Sequence, residues 1–337
     1  MIINKKRVKI HEWIINLILI CTMSICLVFG IHFYSQSNKH NVDSDIYLTI
    51  TENSFDGNEL SSMVAKITEK NEIEHLLTLK HNAQYSLTCY DKANKKVYYM
   101  DNENDERHGG DQLFYYDLKS GKIEQITKEL FGANYIIPVD KNKVFMVVAK
   151  KDTHTLEPIY VSIDSGKVID IKCDDDLFIN VANKDNSQGE FYISGYSNSE
   201  DYKMLDKCNS TDEEQMYGID NTVYKVQDNH IKKVFTLSDR FIDSFAVNGQ
   251  NIICNTSLRG TGSDYDYKSY LFDISTLKLT ELKVKINGNI FALDDQMNVL
   301  INTGSEIKRI NIKTGDEEVL LKIDPSKAWI NNANNYQ

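Results

Sequence analysis

A hairpin motif that recurs along the chain constrains its fold more than any other feature of the sequence. The clearest copy is Leu113–Thr127, LFYYDLKSGKIEQIT, in which apolar and polar residues alternate on both sides of a turn. This alternation around a glycine-containing turn is typical of a β-hairpin. Further copies begin at Ile159, Thr222, Ser269 and Glu306. The chain therefore repeats one structural unit.

Each hairpin follows two more apolar strand-like segments that are joined by a short polar turn. Before the first copy these segments read SLTCYD and KVYYMD, so one repeat holds four antiparallel strands. The turns of successive hairpins are 45, 64, 47 and 38 residues apart. A period of about 40–50 residues with four strands is typical of β-propeller blades. The longest interval contains an insertion, Tyr196–Gly218, which we expect to be a polar loop.

The number of repeats sets the size of the propeller. Five repeats are complete, and Ile46–Thr51 together with the hairpin Met63–Lys80 predicts a sixth. We predict an all-β fold, a β-propeller of six four-stranded blades over residues 46–327, followed by a C-terminal tail at 328–337. A β-sandwich is the alternative, but it would not explain why the same four-strand order recurs five times.

The hairpin motif also resembles that of a known group of proteins. Its pattern is an alternating strand, Asp, two residues and then Ser/Thr-Gly-Lys, and it is carried by Tyr116–Lys122 and by Asn311–Gly315. It resembles the blades of the TolB-like and YWTD-type six-bladed β-propellers. The resemblance covers most of residues 46–323. Because Asp and Gly shape the turn in this motif, the resemblance implies a fold and does not imply a ligand.

The N-terminus predicts the cellular compartment. Residues 1–12 are basic, and the apolar run at 13–34 is long enough to span a bilayer. Trp13 and Tyr34 lie at its ends, where aromatic rings favour the membrane interface. We expect a short cytoplasmic segment at 1–12, an uncleaved single-pass transmembrane helix at 13–34, a tether at 35–45 and an extracytoplasmic propeller. A cleaved signal peptide is the alternative, for which no convincing small-x-small cleavage site is present.

Charge and missing motifs exclude several functional classes. The formal net charge of −11 opposes binding to phosphate backbones, so we predict no nucleic-acid partner. The sequence has no Gly-x-Ser-x-Gly elbow, phosphate loop or dinucleotide fingerprint. We therefore predict no catalytic residue and favour a binding role over an enzymatic one. A propeller enzyme of the lactonase or polysaccharide-lyase kind, and an accessory subunit of an envelope sensor, are the alternatives.

Two features bear on cofactors and disulfides. In the acidic loop 101–111, DNENDERHGGD, acids alternate as in calcium loops, but Glu106 and Gln112 replace the Gly and Glu that an EF-hand requires. We predict no cofactor and no metal site, and calcium at this loop is the alternative. Cys173 and Cys208 fall in predicted loops, where an oxidising exterior would permit a disulfide. A disulfide between Cys173 and Cys208 is therefore a conditional prediction.

The longest loops predict the position of the binding site. They join the second and third strands of their repeats, and in a four-strand meander these connections share one face with the blade-to-blade loops. Binding residues concentrate on loops that a rigid scaffold positions. We therefore predict a ligand site on this face, centred on 256–268. Neutral drift of tolerated insertions is the alternative.

The predicted site combines tyrosine rings, acids and one guanidinium group. Tyrosine offers an apolar ring with a hydroxyl group, which suits both peptides and sugars. The acids make this face favour a basic or polyhydroxylated ligand. We predict a protein or a cell-envelope polysaccharide as the partner. The candidate ligand-binding residues are Arg259, Asp264, Tyr265, Asp266, Tyr267, Asp101, Asp105 and Asp111.

Overall fold

In a computed structural model of the chain, the described residues form six four-stranded antiparallel sheets, one two-stranded sheet and one α-helix. The described residues are 46–52, 60–68, 70–83, 85–102, 110–151, 155–210, 215–260 and 266–336. The cytoplasmic segment, transmembrane helix and tether predicted at 1–12, 13–34 and 35–45 lie outside them. Within the described part of the chain, no helix is both long enough and apolar enough to cross a bilayer.

The six large sheets are the blades of a propeller, which we number I to VI in chain order. The chain begins in blade I with β1 (Tyr47–Glu52), β2 (Leu60–Ile67) and β3 (Ile73–His81). Blade II holds β4 (Thr88–Asp91), β5 (Lys96–Asp101), β6 (Gln112–Asp117) and β7 (Ile123–Gln125). Blade III holds β8 (Leu130–Asp140), β9 (Lys143–Lys150), β10 (Leu156–Ser162) and β11 (Val168–Asp170).

The second half of the chain follows the same order with two small additions. Blade IV holds β12 (Leu177–Asp185), β13 (Glu190–Ser197), β15 (Asn221–Gln227) and β16 (His230–Leu237); α1 (Asn198–Asn209) and β14 (Met216–Tyr217) follow β13. Blade V holds β17 (Phe241–Asn248), β18 (Asn251–Ser257), β20 (Lys268–Asp273) and β21 (Lys278–Glu281), and β19 (Arg259–Gly260) pairs with β14. Blade VI holds β22 (Asn289–Leu293), β23 (Asn298–Asn302), β24 (Glu306–Asn311) and β25 (Glu317–Lys322), and the chain ends with β26 (Ala328–Asn334).

The last strand returns to blade I and closes the ring. β26 pairs antiparallel with β1, so the strand order of blade I is β26-β1-β2-β3. Residues 328–334 are therefore a strand, and the C-terminal tail predicted at 328–337 is wrong for them. Ile330 is fully buried, and Asn334 pairs with Tyr47. Sequence reasoning missed this strand because three of its seven residues are Asn, which is depleted in strands.

The core lies between the blades. Among the described residues, six of the seven apolar clusters lie one at each blade-to-blade interface, including the interface between blades VI and I. Strands near the axis are buried on both sides, and Val144–Ala149 of β9 form six consecutive buried residues. Outer strands face solvent, and β21 is exposed throughout. A closed ring of six equivalent interfaces confirms the propeller and excludes the β-sandwich.

The hairpin motif forms the turn between the third and fourth strands of a blade. In blade II, Asp117 Oδ1 accepts hydrogen bonds from the backbone N–H groups of Lys119 and Ser120, at 2.8 and 2.9 Å. Gly121 then adopts φ +70°, in the left-handed region that favours glycine. Asn311 of blade VI accepts the two equivalent bonds at 3.0 and 3.1 Å. The Asp and Gly of the motif therefore shape the turn, as expected.

The two ends of the propeller differ in their connections. We call the end with the hairpin turns between first and second and between third and fourth strands the turn face. We call the other end, with the second-to-third and blade-to-blade connections, the elaborated face. The insertion Tyr196–Gly218 lies on the elaborated face and contains α1 and β14, so the expectation of a polar loop was wrong. Ser197 caps α1 by accepting a bond from the Glu200 N–H group at 3.1 Å.

Candidate functional site

A polar cavity of about 260 Å³ lies on the propeller axis, lined by residues from all six blades. We call it the central cavity. Most of its lining comes from the strands next to the axis and the residues that precede them, which places it towards the elaborated face. Amide, hydroxyl and phenol groups dominate this lining. The polar residues are Tyr85, Ser86, Asn134, Tyr135, Asn183, Asp243, Ser244, Asn289, Asn302, Asn331, Asn332 and Tyr336.

β-Bulges supply part of this polar lining. In the strand next to the axis of five blades, the pairing register slips by one residue. A bulge leaves its extra residue unpaired and redirects the side chain. In β8 the register slips three times, and the middle shift leaves Asn134 unpaired. The extra residues nearest the middle of the five strands are Asn134, Asn180, Asp243, Phe291 and Asn331. Of these five residues, all except Asn180 line the central cavity.

Asp243 is the one ionisable carboxyl group among the described lining residues. Burial raises its pKa, while a hydrogen bond from Ser257 and the positive charges of Arg259 and Arg240 act in the opposite direction. The Ser257 hydroxyl donates to Asp243 Oδ1 at 2.9 Å. Asp243 also lines a second cavity, of about 290 Å³, together with Tyr267. It therefore connects the central cavity with the loop that the sequence singled out.

Residues that follow β26 reach blade IV at the turn face. Asn186, in the turn between β12 and β13, donates its Nδ2 to the backbone oxygen of Asn335 at 3.1 Å. The next residue, Tyr336, lines the central cavity, and burial raises its pKa well above the usual value. The open approach to the central cavity is therefore from the elaborated face.

Arg259, predicted as a ligand donor, is engaged within the protein. Its guanidinium carbon lies 3.8 Å from the ring centroid of Phe241, and its Nη1 donates to the Tyr196 hydroxyl at 3.0 Å. It also pairs with Asp201 of α1 at 3.6 Å. Tyr217 donates to the same Asp201 at 2.8 Å. Arg259 therefore holds α1 and β14 against the elaborated face.

In the loop before β20, Asp266 forms a salt bridge and Tyr267 has an exposed ring. Asp266 pairs with the buried Arg240 at 2.9 Å, and this pairing lowers the pKa of Asp266. Tyr267, the next residue, is 61% exposed. It lines the second cavity with Asp243 and a neighbouring groove of about 650 Å³ with Lys268 and Glu281. Asp266 lines the same groove, but its carboxylate is paired with Arg240, whereas Tyr267 presents a largely exposed ring.

The acids predicted in blade II lie on the same face but on the opposite side of the axis from Tyr267. Asp101 Oδ1 accepts bonds from the backbone N–H groups of Asn82 and Asn102, at 2.7 and 2.8 Å. Asp111 is buried. The pKa of Tyr85, a residue of the cavity wall, is raised mainly by the burial of Tyr85 and also by the negative charge of Asp111. The structure therefore does not bring these acids together with Tyr267.

Three other predicted site residues, Asp105, Asp264 and Tyr265, lie outside the described residues, as does most of the acidic loop 101–111. The described part of the chain contains no group of three or more His, Cys, Asp or Glu arranged to hold a metal. Its four cysteines, including Cys173 and the buried Cys208, are all thiols. The bridge expected between Cys173 and Cys208 is not formed.

The chain was also compared with known proteins. No family model matches it, and neither does any curated protein. Among solved structures it is similar to one described as a nidogen/laminin complex, with a TM-score of 0.55, 11% identity, and coverage of 86% of this chain and 97% of that one. The resemblance to YWTD-type propellers is confirmed for the fold. At this identity the likeness shows the fold alone.

A second solved structure is described as a puromycin-hydrolyzing peptidase from Mycobacterium tuberculosis. Its TM-score is 0.42, its identity to this chain is 11%, and the match covers 83% of this chain and 53% of that chain. This likeness is too weak to bear on the fold or the function.

Proposed function

We propose that this protein is a membrane-anchored extracytoplasmic binding module whose elaborated face receives a protein partner. The anchor and the orientation follow from the apolar run at 13–34 and the basic residues before it. The choice of face and of partner follows from the distribution of exposed side chains.

Exposed aromatic rings are the observation that carries this proposal. Among the described residues, four aromatic side chains are exposed, and all four lie on the elaborated face: Tyr85, Tyr202, Tyr267 and Trp329. Exposed residues of the outer strands are aliphatic instead, for example Ile123 and Val319. Tyr and Trp are enriched at protein interfaces because a large rigid ring is buried there at little cost in conformational entropy. One face of the disk thus has the composition of an interface.

The central cavity gives this face a place for specific recognition. A polar pocket on the same face as exposed aromatic rings matches the usual arrangement of a protein interface, in which a few residues fill desolvated pockets. A volume of about 260 Å³ lies just below the range of roughly 300–1,000 Å³ for whole small-molecule ligands. The cavity therefore suits one side chain of a larger partner.

A capture experiment with matched variants tests the proposal. The full chain, carrying an affinity tag, is expressed in its host, recovered from the membrane fraction and analysed for co-purifying proteins by quantitative mass spectrometry. We expect the Tyr202→Ser, Tyr267→Ser variant to lose the partner. The control Ile123→Ser, Val319→Ser removes two exposed apolar side chains from the outer strands and should retain the partner.

The opposite pattern, with capture lost only in the outer-strand control, would show that the interface is not on the elaborated face. A polysaccharide captured by the same face in place of a protein would overturn the choice of partner. Recovery of the chain in the medium as a shortened form that begins after residue 34 would contradict the membrane anchor.

A further inference from the structure

The central cavity holds a single negative charge. Asp243 is the one charged side chain among its described lining residues. Burial raises the pKa of the Tyr135 phenol to about 12, and also raises that of Tyr85. Both phenols therefore stay neutral near pH 7. A ligand group that enters the cavity meets one carboxylate, surrounded by neutral amide and phenol groups.

The charges of Arg240 and Arg259 favour the ionised form of Asp243, but the salt bridges of both arginines go to other acids. Arg240 pairs with Asp266 at 2.9 Å, and Arg259 pairs with Asp201 at 3.6 Å, so each guanidinium group has its own acid. Among the described residues, no cationic side chain forms a salt bridge with Asp243. Within the described part of the chain, its one hydrogen bond comes from a neutral hydroxyl group, that of Ser257. The burial that raises the pKa of Asp243 is partial, because its side chain remains exposed to the cavity. A cation that enters the cavity can therefore reach this carboxylate, and pairing with it favours the ionised form.

The rest of the cavity suits a hydrogen-bond donor. Lysine and arginine side chains donate hydrogen bonds and accept none, so they require oxygen acceptors on the surrounding walls. The side chains of Asn134, Asn289 and Asn331 line the cavity and offer amide oxygens. Aromatic rings attract cations through their faces, and Tyr336 and Tyr85 contribute rings to the same cavity.

We propose that the protein partner inserts a lysine or arginine side chain into the central cavity, where its cation pairs with Asp243. This inference rests on the binding role proposed above and names the group that is bound. The partner backbone then passes over Tyr267, because Asp243 and Tyr267 line the adjoining second cavity together. An overall charge of −11 favours the approach of a basic segment.

Defined peptides test the inference without the natural partner. Capped pentapeptides Gly-Gly-X-Gly-Gly, with X as Lys, Arg, Nε-acetyl-lysine or norleucine, are titrated into the detergent-solubilised full chain by calorimetry. We expect the Lys or Arg peptide to bind at least about 10-fold more tightly than the two uncharged peptides. The isosteric variant Asp243→Asn should weaken this binding by about 30-fold or more, since it leaves a desolvated cation unpaired.

The control variant is Glu281→Gln, which removes the same charge from the neighbouring groove and should change the affinity by less than about 2-fold. Equal binding of the norleucine and Lys peptides overturns the inference, and so does full affinity in Asp243→Asn. If that variant does not fold, the comparison of charged and uncharged peptides on the natural chain decides alone. Binding of glucosamine without binding of any peptide assigns the site to an amino sugar and also overturns it.

These outcomes separate the two proposals. If the cationic peptides fail but Tyr202→Ser, Tyr267→Ser still loses the natural partner, the inference about Asp243 is wrong and the proposed function stands. If partner capture does not depend on the elaborated face, the proposed function itself is wrong.

Discussion

Replacement of Ile330 by alanine tests whether the C-terminal strand is part of the core. Ile330 is fully buried in the cluster between blades VI and I. Its backbone N–H donates to the Gly304 oxygen at 2.7 Å, and its oxygen accepts from Asn302 Nδ2 at 3.0 Å. The substitution keeps both of these bonds and removes only the apolar side chain. Its effect on stability therefore reports the packing of that side chain.

The expected loss follows from the burial of the side chain. An Ile→Ala change at a fully buried site lowers the free energy of unfolding by about 2–5 kcal/mol, because transfer energy is lost and a cavity is left. At roughly 2–4 °C per kcal/mol, this corresponds to a fall in Tm of about 4–20 °C. The control is Ile123→Ala in β7, where the side chain is 55% exposed. A surface change of this kind stays within about 0.5 kcal/mol.

Thermal and urea unfolding followed by circular dichroism measure both variants. If Ile330→Ala changes the unfolding midpoint no more than Ile123→Ala does, the last strand does not close the ring, and the assignment of β26 is refuted.

Three further predictions concern single sites. Because the other described cysteines are buried, iodoacetamide should label Cys173 before them in the native protein, as measured by peptide mapping, and prior reduction should not change the pattern. Gly304→Ala places a Cβ 2.0 Å from the Trp329 ring at φ +89°, so it should lower unfolding free energy by about 1–3 kcal/mol more than Gly315→Ala, where φ is +81° but the nearest atom is 3.7 Å away. Asp243→Asn should be as stable as the natural chain or more so at neutral pH. Burial raises the pKa of Asp243, so its ionisation lowers the free energy of unfolding as pH rises from the ordinary aspartate pKa to the raised one. The difference in unfolding free energy between Asp243→Asn and the natural chain, measured in urea, should therefore shrink at lower pH.

Local features of the fold could be predicted from sequence because their causes are local. The hairpin turn depends on the Asp117 side chain, which bonds to backbone groups two and three residues away, and on a glycine at the next turn position. The repeat of this turn, together with the apolar strand pairs, was enough to predict six blades. The helix α1 also has a local signal, Ser197 three residues before Glu200, but the polar composition of the segment hid it.

Ring closure and the central cavity could not be predicted because their causes are non-local. β26 pairs with β1 at the other end of the chain, and no short-range pattern specifies that pairing. Asp243 lines the cavity because a bulge interrupts its pairing with β18. The sequence shows Arg259 and Asp266 as polar groups near Tyr267. It does not show that Arg259 forms a salt bridge with Asp201, or Asp266 with Arg240.

Photo-cross-linking in the host tests the central claim, binding at the elaborated face, most directly. A photo-reactive amino acid is placed at Tyr267 on the elaborated face or, in a second strain, at Lys119 in a hairpin turn of the turn face. Cross-linked products are then identified by mass spectrometry. The proposed interface predicts that one protein is cross-linked reproducibly from Tyr267 and is absent from Lys119. Cross-linking of a protein from Lys119 and of none from Tyr267 would contradict it.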